Sequence, residues 1–229
     1  KTELKRTLTE SFIERDLQPF SMENNLIKVI MGPRRAGKSF FCLHTLSRMG
    51  NFGYVNFDNE TLAKLEDYED LISEVKQVYT DPQILFFDEI QNLPRWELFV
   101  NRLQRQGYNI VVTGSNSKLL SKELATHLTG RHIPTTVLTF SFREYLKAKK
   151  ADLDRLTIQE REEMLLEYLR SGGYPETVLK KLDATQYLSV LFDSIIYKDI
   201  IKRYLIRKGP NIEQLAIYLM SNFASEFSY

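Results

Sequence analysis

Cysteine is almost absent from the sequence, and long apolar runs are absent altogether. The only cysteine, Cys42, excludes an internal disulfide framework and a zinc site built from cysteines. No apolar run approaches the length of a membrane span, and no charged-then-apolar leader opens the chain. We therefore expect a cytoplasmic protein with no membrane partner.

An excess of charge of one sign is also missing. The formal net charge is +1, so no bulk electrostatic argument favours a nucleic acid or an anionic membrane as partner. The hydrophobic content of 43% and the charged content of 27% are ordinary for a globular protein. A length of 229 residues suits one large domain, or a core with a smaller appendage.

Residues 32–39 read GPRRAGKS, which satisfies the pattern G-x-x-x-x-G-K-[ST] at every defined position. The apolar segment 26–31 predicts a buried strand before it, and apolar residues at helical spacing predict a helix after it. Gly32 and Gly37 allow backbone conformations that turn successive N–H groups toward a phosphate, and the new helix adds its positive dipole end. The sequence therefore predicts a nucleoside triphosphate site.

Within this loop, individual residues have predicted roles. Lys38 is expected to reach the β- and γ-phosphates of ATP, and the Ser39 hydroxyl is expected to bind Mg²⁺. The predicted nucleotide-binding residues of this stretch are Gly32, Pro33, Arg34, Arg35, Ala36, Gly37, Lys38, Ser39 and Phe40. The alternative is a chance match, in which a glycine turn precedes an ordinary helix.

Two adjacent acids end a second apolar run, residues 84–89. Four consecutive large apolar residues predict a strand buried on both faces, with Asp88 and Glu89 at its carboxyl end, where parallel α/β sheets bind ligands. Beside a phosphate loop, we expect Asp88 to hold hydrated Mg²⁺ and Glu89 to polarise the water that attacks the γ-phosphate. The alternative is an acid pair that only ends a strand and caps a helix.

Small polar residues follow the next predicted strand, 109–112. If this strand neighbours the strand with the acid pair, residues 113–116 lie beside that pair. Ser115 or Asn116 is then placed to hydrogen-bond the attacking water or the γ-phosphate. The alternative is an N-cap for a helix over 118–128, a position that such residues favour.

Strand and helix patterns alternate through the first 142 residues. The remaining strands are predicted over 52–57 and 133–142, with helices over 62–79, 94–107 and 118–128. This alternation predicts an α/β fold with a mostly parallel sheet covered on both faces. After about residue 142 the patterns are helical only, over 142–149, 156–170, 185–204 and 212–223, so we expect a helical subdomain.

Taken in order, GPRRAGKS, YVNFDNE, ILFFDEIQNLPRW, VVTGSNSKLL, HLTGRHIPTTVLTFSFREYL and SGGYPETVL resemble the prokaryotic AAA-type ATPases. The group concerned carries a poorly characterised C-terminal region and is related to archaeal origin-recognition-like and STAND ATPases. The resemblance covers most of residues 26–205. It implies a P-loop sheet in the order 5-1-4-3-2 over residues 1–141, a helical lid over 142–208, and the start of a truncated winged-helix domain over 209–229.

The resemblance also implies further site residues. Asn116, with Ser115, matches the sensor at the end of the fourth strand. Arg131 matches the arginine before the fifth strand, which in AAA oligomers contacts a neighbour's γ-phosphate; the alternative is a surface arginine near a helix C-terminus. Pro175 matches a proline that packs against the nucleotide; the alternative is a plain helix stop.

Three functions remain open at this point. The first is an Mg²⁺-dependent ATPase whose hydrolysis of ATP to ADP changes the conformation of an attached C-terminal effector or DNA-binding region, as a homo-oligomer. The second is a nucleotide-gated switch with little turnover. The third is a DNA-binding module that uses the C-terminal region. Small basic clusters are present at Arg203, Arg207 and Lys208 and at Lys147, Lys149 and Lys150; the alternative is that they are solvated helix faces. A GTPase is disfavoured, because no base-reading N-K-x-D-like element follows the fourth strand.

Overall fold

The structure is a computed structural model that describes residues 2–59, 61–62, 68–115, 128, 130–180, 182–202 and 204–225. Its contacts divide the chain into two compact units, Lys1–Leu179 and Lys180–Tyr229. Among the described residues, no helix is both long enough and apolar enough to cross a bilayer.

A five-stranded sheet forms the centre of the first unit. Its strands are β1 (Ile27–Gly32), β2 (Phe52–Asn56), β3 (Ile84–Asp88), β4 (Asn109–Ser115) and β5 (His132–Thr136). They lie in the order β2-β3-β4-β1-β5, and every neighbouring pair is parallel. The α/β class and the predicted order 5-1-4-3-2 are confirmed.

The inner strands are apolar because helices cover both faces of the sheet. Phe86 and Phe87 of β3 are fully buried, as is Val111 of β4. The register pairs Phe87 with Val112, and Gly32 at the end of β1 with Ser115 at the end of β4. The ends of β1, β3 and β4 therefore meet at one edge, which is where the predicted site residues were expected.

The helices around the sheet are α1 (Thr2–Thr9), α2 (Lys38–Ser47), α3 (Tyr68–Tyr79) and α4 (Trp96–Arg105), with a 3-10 turn at Ile90–Asn92. Each of α2, α3 and α4 buries one apolar face; in α2 this face includes Phe41, Cys42 and Leu46. The predicted helix over 118–128 lies almost wholly outside the described residues.

The fifth strand is shorter than the predicted span 133–142. It ends at Thr136, although the Val137 N–H still donates to the Met31 carbonyl at 2.7 Å. The chain then leaves the sheet, and the Phe140 N–H donates to the Gly173 carbonyl at 2.7 Å. At Phe140, a hydrogen bond to the segment between two helices replaces pairing within the sheet. The β-rich composition alone does not predict this early end of the strand.

After β5, the described part of the first unit continues with the helices α5 (Phe142–Ala148), α6 (Ile158–Ser171) and α7 (Pro175–Lys180), the last of which ends at the unit boundary. Capping boxes fix the starts of α5, at Ser141 and Glu144, and of α6, at Thr157 and Glu160. The sequence predicts only a break at 172–175, whereas a new short helix begins at Pro175, a residue suited to the first turn.

The second unit contains α8 (Ala184–Ser194), a π-helix (Ile195–Lys202) and α9 (Gly209–Ser221). The sequence predicts one helix over 185–204, and the structure changes from α to π geometry within it. The predicted lid, 142–208, is divided between the two units. The lid and the winged helix, as separate domains, stay predictions.

Candidate nucleotide-binding site

The two glycines of the loop have positive φ angles, and one of them is also closely packed against main chain. Gly32 has φ 151°, and a Cβ there would lie 1.9 Å from the Val137 carbonyl oxygen. Gly37 has φ 90° and is the N-cap of α2. A side chain at Gly32 would collide with main chain, so this close approach admits only glycine.

Lys38 lies inside the loop with its side chain buried. Its Nζ donates to the carbonyls of Gly32, at 3.2 Å, and Pro33, at 3.1 Å. Burial lowers the pKa of Lys38, and the carboxylates of Glu89 and Asp88 oppose that shift. The Lys38 ammonium therefore lies against the main chain of the loop, and its contact with phosphates stays a prediction.

Asp88 is the buried centre of a hydrogen-bond network. The Ser39 hydroxyl donates to its Oδ1 at 3.0 Å, the Thr113 hydroxyl donates to the same oxygen, and the Tyr54 hydroxyl donates to Oδ2 at 3.3 Å. Burial raises the pKa of Asp88 to about 6, although the hydrogen bonds from Thr113 and Ser39 favour the carboxylate. The two predicted metal ligands, Ser39 and Asp88, therefore lie side by side.

These two oxygens fit the requirements of Mg²⁺. Mg²⁺ keeps several waters and takes only one or two protein ligands together with substrate phosphates. Within the described ranges, no cluster of three or more histidine, cysteine or acidic residues suits an all-protein metal cage. The hydroxyl and carboxylate of Ser39 and Asp88 fit a magnesium ion that is shared with a nucleotide.

Glu89 follows Asp88 in a left-handed backbone conformation, φ 50°. Its N–H donates to the Thr113 hydroxyl at 3.1 Å, and Gln91 Nε2 donates to its Oε2 at 2.5 Å. Because the Thr113 hydroxyl also donates to Asp88, one side chain of β4 orients both acids. The sequence predicts that residues 113–116 lie beside the acids, but it assigns no contact to Thr113 and no role to Gln91.

The predicted sensor is not tested by the structure. Ser115 ends β4 opposite Gly32, so its backbone lies beside the loop. Asn116 and the Ser115 side chain lie outside what the structure describes. Both assignments stay predictions.

The loop arginines and Pro175 differ in their surroundings. Arg35, with φ 64°, places Nη1 3.5 Å from Oε2 of Glu176 on α7. The charge of Arg34 contributes to lowering the pKa of Lys38. Pro175, the first residue of α7, lies next to the start of α2, with its Cγ 3.7 Å from the position of a Cβ on Gly37.

Two other predicted residues make contacts outside the phosphate loop. The Phe40 ring is 6.4 Å from the ring of His44, one turn further along α2. Arg131 is exposed, and its carbonyl accepts from Ile27 N–H at 3.0 Å, at the amino end of β1. The loop follows the other end of this strand, roughly 16 Å away at the usual rise per residue. The structure does not bring Arg131 to the pocket of its own chain.

One residue of this region has no signal in the sequence. Arg15 lies in a polar segment without a motif, yet its Nη1 donates to the Ala36 carbonyl in the loop at 3.0 Å. The contact joins residues 21 positions apart and depends on tertiary packing, so no local pattern could have found it.

Comparison with known proteins gives the following matches. The family model described as an AAA domain matches residues 24–146. An uncharacterised protein of Methanocaldococcus jannaschii is 38% identical over 230 aligned positions, which cover 94% of this chain and 51% of that protein. An uncharacterised protein of Haemophilus influenzae is 34% identical over 214 positions, which cover 87% of this chain and 52% of that protein. The chain thus spans about half the length of these curated relatives.

Among solved structures, the Walker-type ATPase PABY2304 of Pyrococcus abyssi aligns with a TM-score of 0.48 and 17% identity. The alignment covers 91% of this chain and 76% of that one.

Proposed function

We propose that this chain, which belongs to the AAA domain family, binds ATP with Mg²⁺ and hydrolyses it to ADP and phosphate. The observation that supports this most is the connected network from Ser39 through Asp88 and Thr113 to Glu89, next to the buried Lys38. The proposed metal ligands, the proposed phosphate-binding cation and the proposed base are therefore close to one another.

Binding is proposed to use charge and main-chain donors together. The amides of the loop and the N-terminus of α2 attract phosphate, and Lys38 adds a full positive charge with little competition from water. Ser39 and Asp88 would hold Mg²⁺, which neutralises negative charge on the phosphates when it is bound. Pro175, which lies next to the start of α2, is proposed to pack against the nucleotide.

Hydrolysis is proposed to depend on Glu89. A water molecule attacks the γ-phosphorus, the bond between that phosphorus and the β–γ bridging oxygen breaks, and ADP leaves with the electron pair. Glu89 accepts the proton of the water, and Lys38 stabilises charge on the phosphoryl oxygens. The Thr113 hydroxyl orients the Glu89 backbone, and Gln91 holds the carboxylate through a hydrogen bond to Oε2.

A nucleotide-gated switch with slow turnover is the second candidate. The observation that favours it is the hydrogen bond from Gln91, which occupies one carboxylate oxygen of Glu89. This bond uses one of about four acceptor sites of the carboxylate and holds its orientation, so the base can act only on a water that a remaining site reaches. Coupling to a C-terminal effector, assembly into oligomers, contact with DNA and a cytoplasmic location stay predictions from the sequence and the resemblance.

Phosphate release by Glu89→Gln protein separates the two candidates. For an ATPase, we expect turnover to fall by roughly 10²–10⁴, with MgATP binding retained, because the substitution removes the base but keeps shape and hydrogen bonding. Glu162→Gln, the same change on the exposed surface of α6, is the matched control and should leave the rate unchanged. Equal slow rates in all three proteins would favour the switch.

A further inference from the structure

Arg15, in the segment between α1 and β1, connects the phosphate loop with α5. Its side chain is 7% exposed. Nη1 donates to the Ala36 carbonyl at 3.0 Å, Nη2 donates to the carbonyls of Leu138 at 2.5 Å and Thr139 at 3.3 Å, and Nε donates to Glu144 Oε1 at 2.8 Å. Because a guanidinium has five N–H donors in a rigid fork, this geometry uses most of its capacity.

On the loop side, the contact orients one peptide unit. The Ala36–Gly37 peptide is trans, so its carbonyl and the Gly37 N–H point in opposite directions. With the carbonyl bound to Arg15, the Gly37 N–H is directed away from the guanidinium. Gly37 has φ 90°. Because glycine can adopt many other backbone conformations, we infer that the contact with Arg15 helps to select this one.

On the other side, the contact reaches a carboxylate that is already fixed. Glu144 Oε2 accepts from Ser141 N–H at 2.8 Å in the capping box of α5, and Oε1 accepts from Asp16 N–H at 2.8 Å. The Glu144 side chain is 5% exposed. The Phe140 ring lies 5.1 Å from the Arg15 guanidinium carbon and leaves little room for it to move.

We propose that Arg15 is a positioning residue for the phosphate loop, which fixes the Ala36–Gly37 peptide and links its orientation to α5 through Glu144. The inference rests on the proposed nucleotide binding. Arg15 acts through the loop peptide and not on the reacting atoms. Displacement of α5 would release the loop peptide, and phosphate bound at the loop would in turn stabilise α5, since such coupling is reciprocal.

The test is the affinity of Arg15→Lys protein for MgADP and MgATP, measured by calorimetric titration. Lysine keeps the charge, but its single ammonium cannot reach carbonyls and a carboxylate in fork geometry. We expect both dissociation constants to rise about tenfold or more, the equivalent of one or two charged hydrogen bonds. In turnover, KM should rise while kcat changes little, because the loop binds phosphate in the ground state and in the transition state.

Arg102→Lys is the matched control. Arg102 also pairs with a carboxylate, Glu69, and its guanidinium lies 5.8 Å from the Phe99 ring, but α4 carries it at a distance from the loop. Both variants should lose thermal stability, and only Arg15→Lys should lose affinity. This comparison separates positioning of the loop from general destabilisation.

Glu144→Gln tests the link to α5 and replaces Arg15→Lys if that protein does not fold. The amide still accepts a hydrogen bond but carries no charge, so the affinity for MgADP should fall several-fold, and the double variant should lose less than the two single losses combined. If wild-type protein binds MgADP and both variants bind it equally well, the inference is wrong and the proposed function stands. If wild-type protein binds neither nucleotide, both are wrong.

Discussion

At the scale of single residues, burial and the proposed Mg²⁺ binding favour opposite protonation states of Asp88. A buried carboxylate is unfavourable, yet Mg²⁺ binding requires the ionised form. Ser39, Thr113 and Tyr54 supply hydrogen bonds that offset part of the cost. The pKa nevertheless rises to about 6 from the ordinary value of 3.8, so burial outweighs the hydrogen bonds in the nucleotide-free protein.

This pKa predicts opposite effects of pH on stability and on binding. Because the folded pKa exceeds the unfolded one, Asp88 stabilises the fold below about pH 4, and that contribution, on the order of 3 kcal/mol, is lost as the pH rises through 6. Mg²⁺-dependent ATP binding should instead weaken as the pH falls below about 6, since protons compete with the metal.

Titration of the protein with a fluorescent ATP analogue between pH 5 and 8, in Mg²⁺ or in EDTA, measures the pH dependence of binding. Asp88→Asn is the control, because any remaining pH effect then comes from the nucleotide. An Mg²⁺-dependent affinity of wild-type protein that stays constant down to pH 5 would contradict the role given to Asp88.

At the scale of elements, the loop depends on Gly32 for packing as well as for backbone angle. Gly32→Ala should destabilise the protein by several kcal/mol and abolish MgATP binding, because the new Cβ would lie on the Val137 carbonyl oxygen. Gly50→Ala is the matched control: its φ of 119° is also positive, but no atom lies within 4 Å of the added Cβ. It should lose about 1–3 kcal/mol and keep binding.

Chemical denaturation and nucleotide titration of the two variants provide the comparison. If both variants lose the same stability and the same affinity, backbone strain explains the requirement for glycine at residue 32. The close approach of β1 to the segment after β5 would then not explain it.

The elements also show what the sequence predicts and what it does not. The loop and β3 can be predicted from the sequence because local spacing determines them. The signals are two glycines at residues 32 and 37 and a run of buried residues that ends at Asp88. The start of α7 at Pro175 and the early end of β5 at Thr136 depend on hydrogen bonds between distant segments. Arg15 and Glu144 are 129 positions apart, so their contact has no local signal.

At the scale of the whole molecule, ligand binding should raise the free energy of unfolding. At one hundred times its dissociation constant, MgATP adds about 2.7 kcal/mol to the unit that binds it, or about 5–10 °C in Tm. Lys38→Ala should abolish this shift, whereas Lys5→Ala, an exposed lysine of α1, should keep it. A Tm of wild-type protein that does not respond to millimolar MgATP would exclude the proposed site.

Assembly is tested by complementation. Since Arg131 lies at the opposite edge of the sheet from its own loop, a catalytic contact would come from a neighbouring copy and contribute on the order of 10³–10⁵ in rate. A mixture of inactive Arg131→Ala and inactive Glu89→Gln proteins should regain part of the ATPase activity, because some intact pockets then face an intact arginine. Wild-type specific activity should also rise with protein concentration.

Crosslinking of the mixture verifies that mixed oligomers form. If they form and no activity returns, Arg131 does not act between subunits.

The burial of Cys42 in α2 has a practical consequence. Its thiol is inaccessible, and desolvation raises its pKa, so alkylation of the folded protein requires that α2 first separates from the sheet. Because the chain has no other thiol, the rate of labelling reports the free energy of that opening without an engineered probe. The helix that begins at the phosphate loop thus carries its own reporter of local unfolding.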